Sequence, residues 1–251
     1  MTIRAVIFDL GHTLWDIGPH SGALERAYAG MRATLAQRLR RDDLPEADAF
    51  QAAVRDALFA ASETYFTTST RTDQPPSWTW VDDGCRSLGL SLDQDLLREI
   101  TPPLFATEVD ALICTEGTRE GVEALAAAGY RLGCVTNTLA DGAAIRQMLR
   151  NHGMDQLMGA VVVSADEGYR KPHALLFEKA MRDLGALPGE SVFVGDSPLH
   201  DIAGAKAAGM YGVLTHQYAD RPYEGFAPQP DAVIDHVREL PGVIARLDAA
   251  C

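Results

Sequence analysis

An α/β fold with a parallel sheet and an inserted all-helical segment is predicted by three observations. From about residue 110 onward, short apolar runs alternate with helical patterns, as in strand–helix–strand crossovers. A matching apolar run at residues 5–8 stands apart near the N-terminus. Between the two, residues 17–107 carry apolar stripes at helical spacing and no strand-like run.

Residues 5–8 form the first strand. The insert then shows Leu24, Tyr28, Met31, Leu35 and Leu39 on one helical face, and Phe50, Val54, Leu58, Ala61 and Tyr65 on another. A third stripe holds Leu92, Leu96, Ile100 and Leu104, while residues 67–80, TTSTRTDQPPSWTW, read as a loop. Strands at 131–135, 160–163, 191–194, 211–214 and 231–234 complete the sheet. Helices at 122–128, 143–151, 174–184 and 202–208 serve as crossovers. Gly129, Gly153, Gly185 and Gly209 stand where left-handed C-terminal caps are needed. Residues 1–16 and 108–251 are therefore the expected core, with 17–107 as a separate helical unit.

At 251 residues and 47% hydrophobic content the chain can bury a substantial core. A formal charge of −13 argues against nucleic acid or an anionic membrane as partner, because the long-range field repels phosphate polymers. No apolar run approaches the length of a membrane span. The N-terminal run stops at Asp9, too short for a signal peptide. Cys85, Cys114, Cys134 and Cys251 match no zinc or redox spacing. They read as reduced thiols of a cytoplasmic protein, with Cys134 a small core residue. Oligomeric state has no signature in the sequence.

In an open parallel sheet, ligands bind beyond the carboxyl ends of the strands, where the strand order reverses. The residues just past those ends are Asp9, then Thr136 and Asn137, then the stretch up to Lys171, and finally Asp196. Two carboxylates facing a phosphate repel unless a cation sits between them, and magnesium suits oxygen ligands of this kind.

Four motifs carry these residues in order: FDLGHTL with Asp9 and Thr13, CVTNT with Thr136, YRKPHALLF with Lys171, and FVGDSPLHDIAGAKAAGM with Asp196 and Asp201. In this the chain resembles the haloacid dehalogenase-like hydrolase superfamily, in the subfamily with a helical cap between motifs one and two. The resemblance implies a Rossmann-like core, and a magnesium-dependent phosphatase of small phosphorylated metabolites. Asp9 would be the nucleophile and form an aspartyl-phosphate. Magnesium would be held by Asp9, Asp196 and the Gly11 carbonyl, with Asp201 supporting it through water. Asp201 has a second reading, as a cap for the helix near Ile202. Thr136 and Lys171 would donate to phosphoryl oxygens, and Asn137 would add its amides. His12 is a candidate substrate contact. The insert would close as a lid, with His20, Arg71, Trp78 and Trp80 as candidates to face the substrate.

Phosphatases of this family usually carry a second aspartate two residues after the nucleophile, as general acid and base. Here that residue is Gly11. Such help is worth on the order of 10² to 10⁴ in rate. The expectation is a phosphatase favouring good leaving groups, with His12 or Asp16 acting through water in place of the missing acid. Two alternatives remain: a 2-haloacid dehalogenase-type hydrolase attacking carbon, and a non-catalytic regulatory member of the fold. The intact GDSPLHD speaks against the first, and the retained nucleophile and lysine against the second. The absence of any lysine from the insert speaks against a carbon–phosphorus hydrolase using a cap lysine.

Overall fold

β1, Ala5–Phe8, is apolar at every position and fully buried, which places it at the centre of a sheet with both faces covered. Val6 and Phe8 join one hydrophobic cluster while Ala5 and Ile7 join another, so the two-residue period of the strand feeds a core on each side. The computed structural model describes residues 2–18, 22–64, 71–105 and 112–249. His20 lies outside them, as do Tyr65 and Cys251.

After β1 come β2 (Asp16–Ile17), α1 (Ala23–Leu39), α2 (Ala47–Ser62), α3 (Trp78–Ser87), α4 (Gln94–Ile100), α5 (Pro102–Phe105) and β3 (Leu112–Ile113). The alternating half follows with α6 (Thr118–Ala127), β4 (Arg131–Thr136), α7 (Gly142–Asn151), β5 (Met158–Val163), α8 (Ser164–Glu167) and α9 (Ala174–Leu184). It closes with β6 (Ser191–Gly195), a π turn (Pro198–Ile202), α10 (Ala203–Ala207), β7 (Tyr211–Thr215), β8 (Ala232–Ile234) and α11 (Leu240–Ala249). The six long-range strands form one parallel sheet in the order β5-β4-β1-β6-β7-β8. The chain runs outward from β1 to β5, then returns to β1's other side with β6. The strand order thus reverses at β1, and the carboxyl ends of β1, β4 and β6 open into one crevice.

The crossover helices end as the sequence predicts, with Gly185 at φ 63° closing α9 in the left-handed conformation. The insert packs on a core of its own, in which Tyr28, Met31 and Leu35 meet Phe50, Val54, Val81 and Leu97. Two features differ from the sequence reading. The expected loop at 67–80 gives way to α3 at Trp78, and this helix packs closely on α2. The insert is also bounded by a short antiparallel pair, with Asp16 opposite Ile113 and Ile17 opposite Leu112. Each of its strands has two residues, too few to leave a pattern.

Candidate active site

Asp9 follows directly on β1, and its N–H donates to the Val194 carbonyl of β6, which fixes the backbone where the strand ends. Its carboxylate is buried, and Oδ1 accepts from Lys171 Nζ at 2.6 Å. The same Nζ donates to Asp201 Oδ1 at 2.6 Å, so one ammonium spans two carboxylates. Asp201 Oδ2 in turn accepts from the Ser197 N–H at 2.9 Å. Asp201 does not cap a helix: the cap of the π turn is the Ser197 hydroxyl, which accepts from the His200 N–H.

Asp196 follows β6. Its Oδ2 lies 2.6 Å from Arg221 Nε, yet that buried oxygen is in no hydrogen bond, because the guanidinium meets it out of line. Asp9, Asp196 and Asp201 each present an oxygen within 4.8 Å of the others. Burial pushes Asp9 up to about 7, against the pull of Lys171. Burial also pushes Asp196 up to about 6, with Asp201 adding to it and Arg221 opposing. For Lys171 burial disfavours the charge, but Asp201 and Asp9 outweigh it and hold the ammonium above its ordinary range. A buried trio of hard oxygen ligands, one atom of which lacks a hydrogen bond, is a donor set that fits a divalent cation such as magnesium.

These residues line a cavity of about 780 Å³, together with Gly11, His12 and Thr136. Thr136 closes β4 and is buried at the cavity wall. Asn137 spends its side chain on the backbone of Lys171: Oδ1 accepts from the Lys171 N–H at 2.7 Å and Nδ2 donates to the Lys171 carbonyl. It therefore holds the lysine in place with its side chain, and only its backbone amide is left for a ligand. His12 adopts φ 55° and lies 3.1 Å from Asp16 through Nδ1.

Of the expected substrate-facing residues of the insert, His20 lies outside the described residues, and Arg71, Trp78 and Trp80 are not brought to the cavity. Trp80 is buried against Ala61, Leu58 and Leu139, and Trp78, two residues away and so on the opposite side of α3, packs on the insert's own core. Arg71 is exposed and pairs with Asp73 at 2.6 Å. Three cavity residues escaped the sequence reading: Arg170, His200 and Arg221. Arg170 and His200 adjoin motif residues, and their position was the available signal. Arg221 sits in the irregular segment between β7 and β8 and offers none.

A sequence profile of haloacid dehalogenase-like hydrolases matches residues 3–209. Over 123 residues the chain is 37% identical to the glyceraldehyde 3-phosphate phosphatase of Methanopyrus kandleri, a match that takes in 47% of this chain and 51% of that enzyme. The chain thus spans about half the length of that relative. It is 31% identical over 162 residues to the phosphoglycolate phosphatase of Colwellia psychrerythraea, covering 58% of this chain and 70% of that one. The crystal structure of a 2-haloacid dehalogenase from Pseudomonas syringae superposes with a TM-score of 0.64 at 24% identity, covering 98% of this chain and 99% of that one. That likeness is one of fold. With the four motifs gathered at one crevice and the profile spanning most of the length, the chain belongs to the haloacid dehalogenase-like hydrolase family.

Proposed function

We propose that the chain is a magnesium-dependent phosphatase of small phosphorylated metabolites, working through an aspartyl-phosphate on Asp9. The observation that carries this reading is the buried trio Asp9, Asp196 and Asp201 around Lys171. Three carboxylates, one of them the nucleophile, repel an anionic substrate unless a divalent cation joins them, which suits phosphate and disfavours a metal-free attack on a haloacid. The phosphatases among the relatives support the same class of substrate.

Asp9 and Asp196, with the Gly11 carbonyl, would hold the magnesium, and Asp201 would support it through water. When bound, the ion supplies positive charge against the phosphoryl oxygens. Asp9 attacks phosphorus with one carboxylate oxygen; the ester bond to the leaving oxygen breaks, and that oxygen takes a proton from solvent. Water then attacks the aspartyl-phosphate, releasing phosphate and a proton and restoring the carboxylate. Lys171 and Thr136 donate to the phosphoryl oxygens as charge develops, aided by the Asn137 amide. Residues 17–107 would act as a cap that screens the reaction from water. His12 lines the same cavity and remains a candidate substrate contact.

Purified protein is expected to release phosphate from aryl and acyl phosphates with magnesium present and not in chelator. Asp9→Asn should abolish turnover. Undiminished hydrolysis in chelator overturns the metal role, and halide release from a 2-haloacid overturns the phosphatase.

A further inference from the structure

Of the two cavity arginines that the phosphatase chemistry leaves unassigned, Arg170 is almost fully buried and Arg221 is the one half exposed to the opening. Phosphoryl oxygens are already served by Lys171, Thr136 and the Asn137 amide, and Lys171 answers the charges of Asp9 and Asp201. Arg221 faces Asp196 through Nε at 2.6 Å, while its Nη groups make no hydrogen bond among the described residues. Its side chain is 47% exposed and lines the cavity beside Pro222 and Phe226.

The backbone that carries Arg221 is fixed on both sides. Before it, the Tyr218 hydroxyl accepts from the Thr115 N–H at 2.6 Å and donates to the Leu14 carbonyl at 3.0 Å. After it, Gln229 Nε2 donates to the Phe226 carbonyl at 2.6 Å, and Asp231 accepts from Lys206 Nζ and the Gly212 N–H. An arginine held this way presents donors in a planar fork that matches a carboxylate or phosphoryl group, at low cost in ordering. With a divalent cation answering Asp196, the guanidinium would be released from its role as that carboxylate's nearest counter-ion. In a chain of net charge −13, a polyanionic substrate is not drawn in by the general field and needs such a local cation.

We infer that Arg221 reads a second anionic group on the substrate, so that the site takes short phosphate esters bearing a carboxylate or a second phosphoryl group. This rests on the phosphatase reading for its substrate class but is tested by binding. Calorimetry in magnesium compares 3-phosphonopropionate with propylphosphonate, a pair differing in a carboxylate against a methyl, and adds ethylenebisphosphonate to separate the two sources of the anion. The wild type should bind the better of the two probes bearing a second anionic group on the order of 10- to 100-fold more tightly than propylphosphonate. Arg221→Gln should remove most of that preference, and Arg221→Lys, a point charge without a fork, should keep part of it. Equal wild-type affinity for all three probes overturns the inference. So does an equal loss on all three in Arg221→Gln, which reduces Arg221 to a counter-ion of Asp196. Discrimination without phosphate release from an aryl phosphate defeats the phosphatase reading and sustains the anion reading; phosphate release without discrimination does the reverse.

Discussion

Asp9 is held ready for chemistry at the expense of stability. In metal-free protein its carboxyl lies up at about 7 because burial disfavours the charge, against an ordinary 3.8. Between about pH 4 and 7 the folded chain therefore keeps a proton that the unfolded chain has released, and stability falls as pH rises through that window, by at most about 1.4 kcal/mol per pH unit. Asp196, up at about 6, adds the same sign over a narrower range. Thermal melts in chelator should show the melting temperature dropping from pH 4 to 7, with Asp9→Asn flattening the drop and raising stability at pH 8. A melting temperature that climbs over this range contradicts the account. Gly11 is the complementary case. A Cβ built there meets nothing within 4 Å, so the first side-chain atom of an aspartate has open space. In a series of phosphate esters ordered by leaving-group acidity, the wild type should favour acidic leaving groups steeply. Gly11→Asp should raise the poor substrates by about 10-fold or more and flatten the slope.

At the level of elements, the tightest contact in the insert is α3 on α2. A Cβ at Gly84 would lie 2.7 Å from the Val54 Cα and 2.9 Å from the Ala53 carbonyl oxygen, both backbone atoms that cannot step aside. Gly84→Ala should cost roughly 1–3 kcal/mol and lower the melting temperature by several degrees. The same helix shows where sequence reading stops. Its segment WTWVDDGCRS places two aspartates and a glycine inside a helix, and burial against a neighbour, not local pattern, decides its structure. By contrast β1, β4 and β6 were legible because strands buried on both faces are apolar without interruption. Asp9, Thr136, Lys171 and Asp196 were legible for a related reason: Asp9 and Asp196 follow strand ends, Thr136 closes a strand, and Lys171 sits in a motif that leads into α9. Arg221 was not, because its meeting with Asp196 depends on how the β7–β8 segment returns across the sheet. The packing of Trp78 and Trp80 on opposite sides of α3 was equally invisible from spacing alone.

Over the whole molecule, the insert and the core also meet away from the strands that join them. The Arg170 N–H donates to the Thr72 carbonyl, the Gln74 N–H to the Gly168 carbonyl, and Gln74 Nε2 to the Thr138 carbonyl at 2.8 Å. These contacts dock one end of the insert beside the segments that carry Thr136 and Lys171. Gln74→Ala removes a buried donor, and hydrogen exchange should quicken at the Gln74 and Arg170 amides while the β1 amides stay protected. Unchanged exchange at those two sites removes the docking role. At the other end, entry and exit strands form a single ribbon, in which Ile17 is the register partner of Leu112. Both of those residues also line the cavity. As the proposed cap, residues 17–107 would swing on one axle and not on two loose tethers, and an occupant of the cavity would rest against that axle. Occupancy and cap position would then be mechanically linked at Ile17 and Leu112, alongside Ser62, which also lines the cavity from the insert.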